Sequence, residues 1–180
     1  MRQVADREKI QKFMSAFGAR APREARLYFT GGATSVLLGW RPTTIDVDIH
    51  FAPEMDELFR ALPPLKEELQ INIELACPTD FIPPLPGWLE RCLYIGREGS
   101  VSFYHYDPYA QALAKIERGH TQDQQDVQAM IQRGFVERSE MIRLHASIEP
   151  NLYRYPAIDP KSFSQAVREA VNQEGGGRQP

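Results

Sequence analysis

Two short runs in the first third of the chain carry residues with chemistry to offer. The first is Gly31-Gly32, followed by Ala33-Thr34-Ser35-Val36-Leu37-Leu38. The second is Asp46-Val47-Asp48, within Ile45-Asp46-Val47-Asp48-Ile49-His50-Phe51. There Ile45, Val47, Ile49 and Phe51 alternate with Asp46, Asp48 and His50. That is the period of a strand, so Asp46 and Asp48 project from one face while the apolar set turns to a core. Two parallel carboxylates repel unless something lies between them. Hard divalent cations take carboxylate oxygens, and a Mg2+ pair is the usual answer. The glycine pair permits φ > 0 and lets another molecule approach the backbone closely. A helix starting at Ala33 aims its unpaired N–H groups back at that turn, and such a helix start attracts phosphate.

The elements that must position these residues are short. Leu27-Tyr28-Phe29 reads as an apolar strand leading into the glycine turn. Pro42 ends the helical run, and Ile45 opens the second strand. The unit is therefore strand, glycine turn, short helix, loop, strand.

This unit resembles the signature of the DNA polymerase β-type nucleotidyltransferase superfamily. The resemblance implies that Gly31 and Gly32 hold a nucleoside triphosphate while Asp46 and Asp48 hold two divalent metals. More narrowly, Arg41-x-Thr43-Thr44-x-Asp46-x-Asp48 followed by a helical C-terminal half resembles the nucleotidyltransferase toxins of abortive-infection and type IV toxin–antitoxin systems. The resemblance covers residues 26–135. The superfamily places a third carboxylate on a strand beside the Asp-x-Asp strand. Glu74, on the polar side of Gln70–Ala76, is the candidate, and Asp80 the alternative. On the same resemblance the Thr34 and Ser35 hydroxyls join the glycine amides at the phosphates, with Arg41 on the nucleotide side. Lys115-x-x-Arg118 followed by Asp123-x-x-Asp126 resembles the later motifs of the toxin families. Lys115 then contacts the nucleotide and takes part in catalysis, and Arg118 and Asp126 lie near it.

The rest of the chain reads as a frame for that unit. Residues 3–18 carry Ile10, Phe13, Met14 and Phe17 at helical spacing. A helix opening at Ala52-Pro53-Glu54 carries Met55, Leu58, Phe59 and Leu62, and Pro63-Pro64 is expected to break it. Residues 70–76 form a third strand, in which Ile71, Ile73 and Leu75 alternate with Asn72 and Glu74. A proline-punctuated loop over 81–88 leads to two hairpin strands, 91–95 and 101–106. In the second, Ser102, Tyr104 and Tyr106 form one face, with aromatic rings suited to stacking a base or filling a sheet. Asp107-Pro108 caps a helix with Tyr109, Ala112, Leu113 and Ile116 as its stripe and Lys115 at the stripe's edge. Helices follow from Thr121, over 137–147 and from Pro160, with His145 packed in the core. The fold class is α/β: a small mixed sheet with helices on one side and a helical C-terminal half. The expected division is 1–106 as nucleotidyltransferase core, 107–174 as helical part, and 175–180 as a disordered tail.

A chain of 180 residues with a net charge of -3 has no general basic footprint for nucleic acid. Cys77 and Cys92 are too few for a disulfide framework or zinc site. No apolar run approaches the roughly 20 residues of a membrane span. The expectation is a cytoplasmic protein that touches no membrane. Its expected activity is Mg2+-dependent transfer of a nucleotidyl group from an NTP to a hydroxyl, on an acceptor RNA (a tRNA 3′ end) or a protein. An antitoxin partner would accompany a toxin. The competing expectation is a nucleotidyltransferase fold that kept nucleotide binding or an interaction role and lost the chemistry.

Overall fold

The computed structural model describes residues 3–173. The expected tail, 175–180, lies outside them. The chain divides into two compact units. One holds the chain up to Cys77 together with Cys92–Tyr106; the other holds Pro78–Arg91 and the chain from Asp107 onward.

The first unit is built from β1 (Ala5–Asp6), α1 (Arg7–Gly18), β2 (Ala25–Thr30), α2 (Gly31–Leu38), β3 (Thr43–Thr44), β4 (Asp46–Ala52), α3 (Asp56–Leu69), β5 (Asn72–Leu75), β6 (Leu93–Glu98) and β7 (Val101–His105). Five strands make a mixed sheet in the order β5-β4-β2-β7-β6. β4 and β2 are antiparallel, while β5 runs parallel to β4 and β7 parallel to β2. Alternation decides the faces. Leu27, Phe29, Val47, Ile49, Phe51, Ile73, Val101 and Phe103 are buried in one core with Phe13 and Phe17 of α1, Val36 of α2, and Leu58 and Leu65 of α3. At about 1.5–3 kcal/mol for each large apolar side chain removed from water, this face fixes the register of β2, β4, β5 and β7. The opposite face carries Arg26, Tyr28, Thr30, Asp46, Asp48, His50, Asn72, Glu74 and Tyr104.

Several boundaries differ from the sequence reading. The N-terminal helix starts at Arg7, because Ala5–Asp6 pairs with Thr43–Thr44 and the Asp6 carboxylate caps the Lys9 amide at 2.9 Å. Ile45 is not part of the apolar face: it precedes β4 and is 73% exposed. Pro63-Pro64 does not break α3. Both prolines sit on its exposed side while Ala61, Leu62 and Leu65 are buried, so packing carries the helix across them. Leu75 is exposed, so the apolar alternation of β5 ends at Ile73.

The second unit contains α4 (Pro108–Arg118), α5 (Thr121–Gln132), α6 (Arg138–Ile148) and α7 (Pro160–Asn172). Leu113 and Ile116, Val127 and Met130, Met141 and Leu144, and Phe163 and Val167 are their buried stripes. His145 packs edge-on against Phe163 at 4.7 Å, a core histidine as its place on the stripe suggests. Residues 78–91, read from the sequence with the sheet, join this unit through side chains. Arg91 is not in a strand: it donates twice to the buried Asp107, at 3.0 and 2.7 Å. The Arg118 guanidinium lies over the Phe81 ring, and the Tyr155 hydroxyl donates to the Thr79 carbonyl.

Candidate functional site

The antiparallel register of β2 and β4 sets Thr30 opposite Asp48. Thr30 is the last residue of β2 and the N-cap of α2, so the start of that helix is delivered to the acidic strand. The helix begins at Gly31 itself, with φ at +57° and no side-chain cap from Thr30. A Cβ on Gly31 would fall on Asp48 Oδ2. Only glycine fits, both for its left-handed backbone and for the space the carboxylate takes. Gly32 is confined for another reason: its Cβ would strike Thr44 Oγ1 and lie 2.8 Å from Thr44 Cβ and 3.6 Å from Arg41 Nη1. The glycine pair and the Asp-x-Asp pair are thus brought together, with Arg41 alongside.

The parallel register of β4 and β5 sets Asn72 opposite Asp46 and Glu74 opposite Asp48. All four side chains leave the same face of the sheet. Asp46, Asp48 and Asn72 are half-buried and Glu74 is exposed. The Asn72 amide donates to Asp46 Oδ1 at 2.6 Å and to Glu74 Oε1 at 2.9 Å. Asn72 is the residue of this group that the sequence reading left without a role. Its two-residue spacing from Glu74 was the available signal. Asp80 ends a short 3-10 turn, Pro78–Asp80, in the other unit.

Farther from the acids on the same face, aromatic rings form a row. Tyr28 stacks on His50 at 6.0 Å and on Tyr104 at 5.5 Å, and Tyr94 meets Tyr104 at 5.4 Å. Tyr28 and Tyr106 are buried while Tyr94 is 62% exposed. These rings mostly stack on one another, which is the sheet-filling role.

Thr34 and Ser35, expected beside the phosphates, are buried within the unit. The Thr34 hydroxyl donates to the Phe29 carbonyl at 3.1 Å, and the Ser35 hydroxyl to the Gly31 carbonyl at 3.3 Å. Their positions on α2 turn them to its packed side. His105 Nδ1 lies 3.2 Å from Thr34 Oγ1. Because the threonine proton goes to Phe29, the histidine is the donor of that pair. Burial, then the positive charge of Arg7, push the His105 pKa down to about 4, so the ring is neutral.

Lys115, Arg118 and Asp126 belong to the helical unit. Lys115 does not stand at the exposed edge of its stripe: it is 4% exposed. Its ammonium donates to Asp126 Oδ2 at 2.7 Å and Asp123 Oδ1 at 3.1 Å. Arg118 adds a bond to Asp123 Oδ1 at 2.9 Å. The Lys-x-x-Arg and Asp-x-x-Asp patterns therefore meet each other, as an internal ion cluster that ties α4 to α5. The helical spacing places all four residues correctly but does not say which way they face.

The donor chemistry on β4 and β5 fits a hard divalent cation, with oxygen ligands on Asp46 and Asp48 beside a helix start. The third ligand fits less simply. Among the described residues no three Asp, Glu, His or Cys side chains stand close enough to hold a metal together. The Asn72 amide is seated between Asp46 and Glu74.

With that geometry in place, the comparison with known families is decisive at one level. Residues 8–169 match the model of a family described as "Nucleotidyltransferase of unknown function (DUF6036)". The chain belongs to that family. No curated protein and no solved structure matches the chain. Among the described residues no helix is long and apolar enough to cross a membrane.

Proposed function

We propose that this nucleotidyltransferase moves a nucleotidyl group from an NTP to a hydroxyl acceptor, with Asp46 and Asp48 as its metal-holding carboxylates. The observation that supports this is the approach of the Asp48 carboxylate to Gly31. It sets the acids beside the helix start that would receive phosphate. Mg2+ held by Asp46 and Asp48 would supply charge stabilisation at the phosphates and acidify the acceptor hydroxyl. The amides at the start of α2, Gly31 and Gly32 among them, bind phosphate oxygens. Arg41, next to Gly32, adds a cation at the same turn. The acceptor oxygen bonds to the α-phosphorus as the bond to the bridging oxygen breaks. Pyrophosphate leaves with that electron pair, and Glu74 takes the hydroxyl proton at a carboxylate oxygen.

The acceptor is an RNA 3′ end, as on a tRNA, or a protein hydroxyl. Such a transfer onto a cell's own RNA or protein is the chemistry of a toxin held in check by an antitoxin. The test is incubation with labelled NTPs, Mg2+, total cellular RNA and total protein. Label in one pool, lost in Asp48→Asn, is the expected result. Mg2+-dependent NTP binding with no transfer to either pool would leave a binding module in place of the enzyme. Absence of both binding and transfer would end the proposal.

A further inference from the structure

The Asn72 side chain is committed in an unusual way. A primary amide has two N–H groups, and Asn72 places its nitrogen 2.6 Å from Asp46 Oδ1 and 2.9 Å from Glu74 Oε1. Both contacts are to carboxyl oxygens acting as acceptors, so the amide presents its nitrogen to them and not its oxygen. Both distances are those of direct hydrogen bonds, the one to Asp46 the shorter. The nitrogen occupies the place that a cation shared by Asp46 and Glu74 would need. It is neutral, so it separates and orients the two acids without cancelling their charge.

We infer that Asn72 is a positioning residue for the metal site: it clamps Glu74 and Asp46 while no cation is bound and must give way before Glu74 can join the metal. This rests on the reading of Asp46 and Asp48 as metal-holding carboxylates and adds to it a gate on the third ligand. The register is what builds the gate. Asn72 and Glu74 are two apart on β5, and their partners Asp46 and Asp48 are two apart on β4. One amide can thus reach one acid across the ladder and one along its own strand. Displacing it costs two hydrogen bonds to charged groups, and that cost is subtracted from the affinity for the cation. Two acids without the clamp repel, and a cation relieves them at once. Asn72 therefore lowers affinity for a bare cation and delays recruitment of Glu74.

The experiment is Mn2+ binding to the full chain without nucleotide, read by electron paramagnetic resonance. Wild type, Asn72→Ala, Glu74→Gln and the double variant are compared, with Asp46→Asn/Asp48→Asn as reference. Circular dichroism checks folding, and Asn72→Ser, too short to bridge, replaces the alanine variant if that one fails to fold. The expected result is about tenfold tighter binding in Asn72→Ala, the factor to which about 1.4 kcal/mol converts. The gain must vanish when Glu74 is also Gln, which a purely structural role would not require. Unchanged or weaker binding in Asn72→Ala, or a gain that survives Glu74→Gln, overturns the inference while leaving the metal site standing. Wild-type binding no tighter than that of the Asp46→Asn/Asp48→Asn protein overturns the metal reading, and this inference with it.

Discussion

Replacing Lys115 by methionine keeps the length of the stem and removes the charge. Two acids depend on that charge. The Lys115 ammonium is paired at 2.7 Å with Asp126 and 3.1 Å with Asp123, and the side chains are 4%, 1% and 7% exposed. Breaking a buried pair by removing one partner costs about 3–5 kcal/mol, because the remaining charge is left without compensation. Here Arg118 still reaches Asp123 at 2.9 Å, but it is 36% exposed, and Asp126 loses its ammonium partner. The lower half of that range, about 3 kcal/mol, is therefore the expected loss at pH 7. In a domain of this size it lowers the melting temperature by on the order of 10 °C. Lys12→Met, which breaks the exposed pair with Glu8, should change almost nothing.

The pH dependence carries a sign. Burial pushes the Asp123 carboxyl up, but the charges and hydrogen bonds of Lys115 and Arg118 together outweigh it and hold the group below its usual range. A carboxyl depressed on folding gives stability that is present above its unfolded value and lost as pH falls through its folded one. Without Lys115 the burial effect has less to oppose it. The gap between wild type and Lys115→Met is thus full near neutrality and narrows as pH falls below the ordinary aspartate value of about 3.9 toward the depressed folded one. Urea unfolding followed by circular dichroism at several pH values measures both. A variant within 1 kcal/mol of wild type at pH 7, well under the cost of breaking a buried pair, or a gap that widens on acidification, would refute the reasoning.

Asp46→Asn should leave the melting temperature near that of wild type, since the residue is half-buried on the polar face, and should abolish Mg2+-dependent NTP binding; calorimetry showing equal affinity would sink the metal assignment. Gly32→Ala should destabilise the protein through the collision with Thr44, and adding Thr44→Gly, which removes both the hydroxyl and the Cβ that stands 2.8 Å away, should restore part of the loss; if the pair is no better than the single change, thermal melts will show that Thr44 is not the obstacle. His105 is held neutral by burial, with a pKa of about 4 against an ordinary 6.5, so the unfolded chain takes its proton first as pH falls. Stability should drop through that window by about 3 kcal/mol at about 1.4 kcal/mol per pH unit, and His105→Gln should flatten the slope in urea titrations.

The alternation of Val47, Ile49 and Phe51 with Asp46, Asp48 and His50 made β4 and its two faces readable, because a one-residue slip would bury every polar group in it. The glycine pair was readable as a special turn, yet its reason was not. Gly31 must be glycine because Asp48, 17 positions later, fills the space beside its Cα, and Gly32 because Thr44 does. Thr34 and Ser35 are placed at the phosphates by resemblance, whereas their hydroxyls donate to the Phe29 and Gly31 carbonyls. Which side of a short helix meets the core cannot be read from a segment where Thr34, Ser35, Val36 and Leu37 are all buried. Pro63-Pro64 shows the reverse case, a strong local signal overruled by the packing of Leu62 and Leu65.

Local pattern by itself determined most of the elements and the polar and apolar faces of the central strands, and it singled out the residue types to which phosphate and a hard cation are assigned here as a proposal. Those follow from backbone sterics and from periods of two and 3.6 residues, which act over a few neighbours. The tertiary structure decided the partners. Strand register chose Glu74 as the acid opposite Asp48 and put the Asn72 amide between Glu74 and Asp46. Helix packing turned Lys115 inward to Asp123 and Asp126. A charged side chain takes its role from whatever lies within about 4 Å of it, and that neighbourhood is set by parts of the chain that local pattern does not connect.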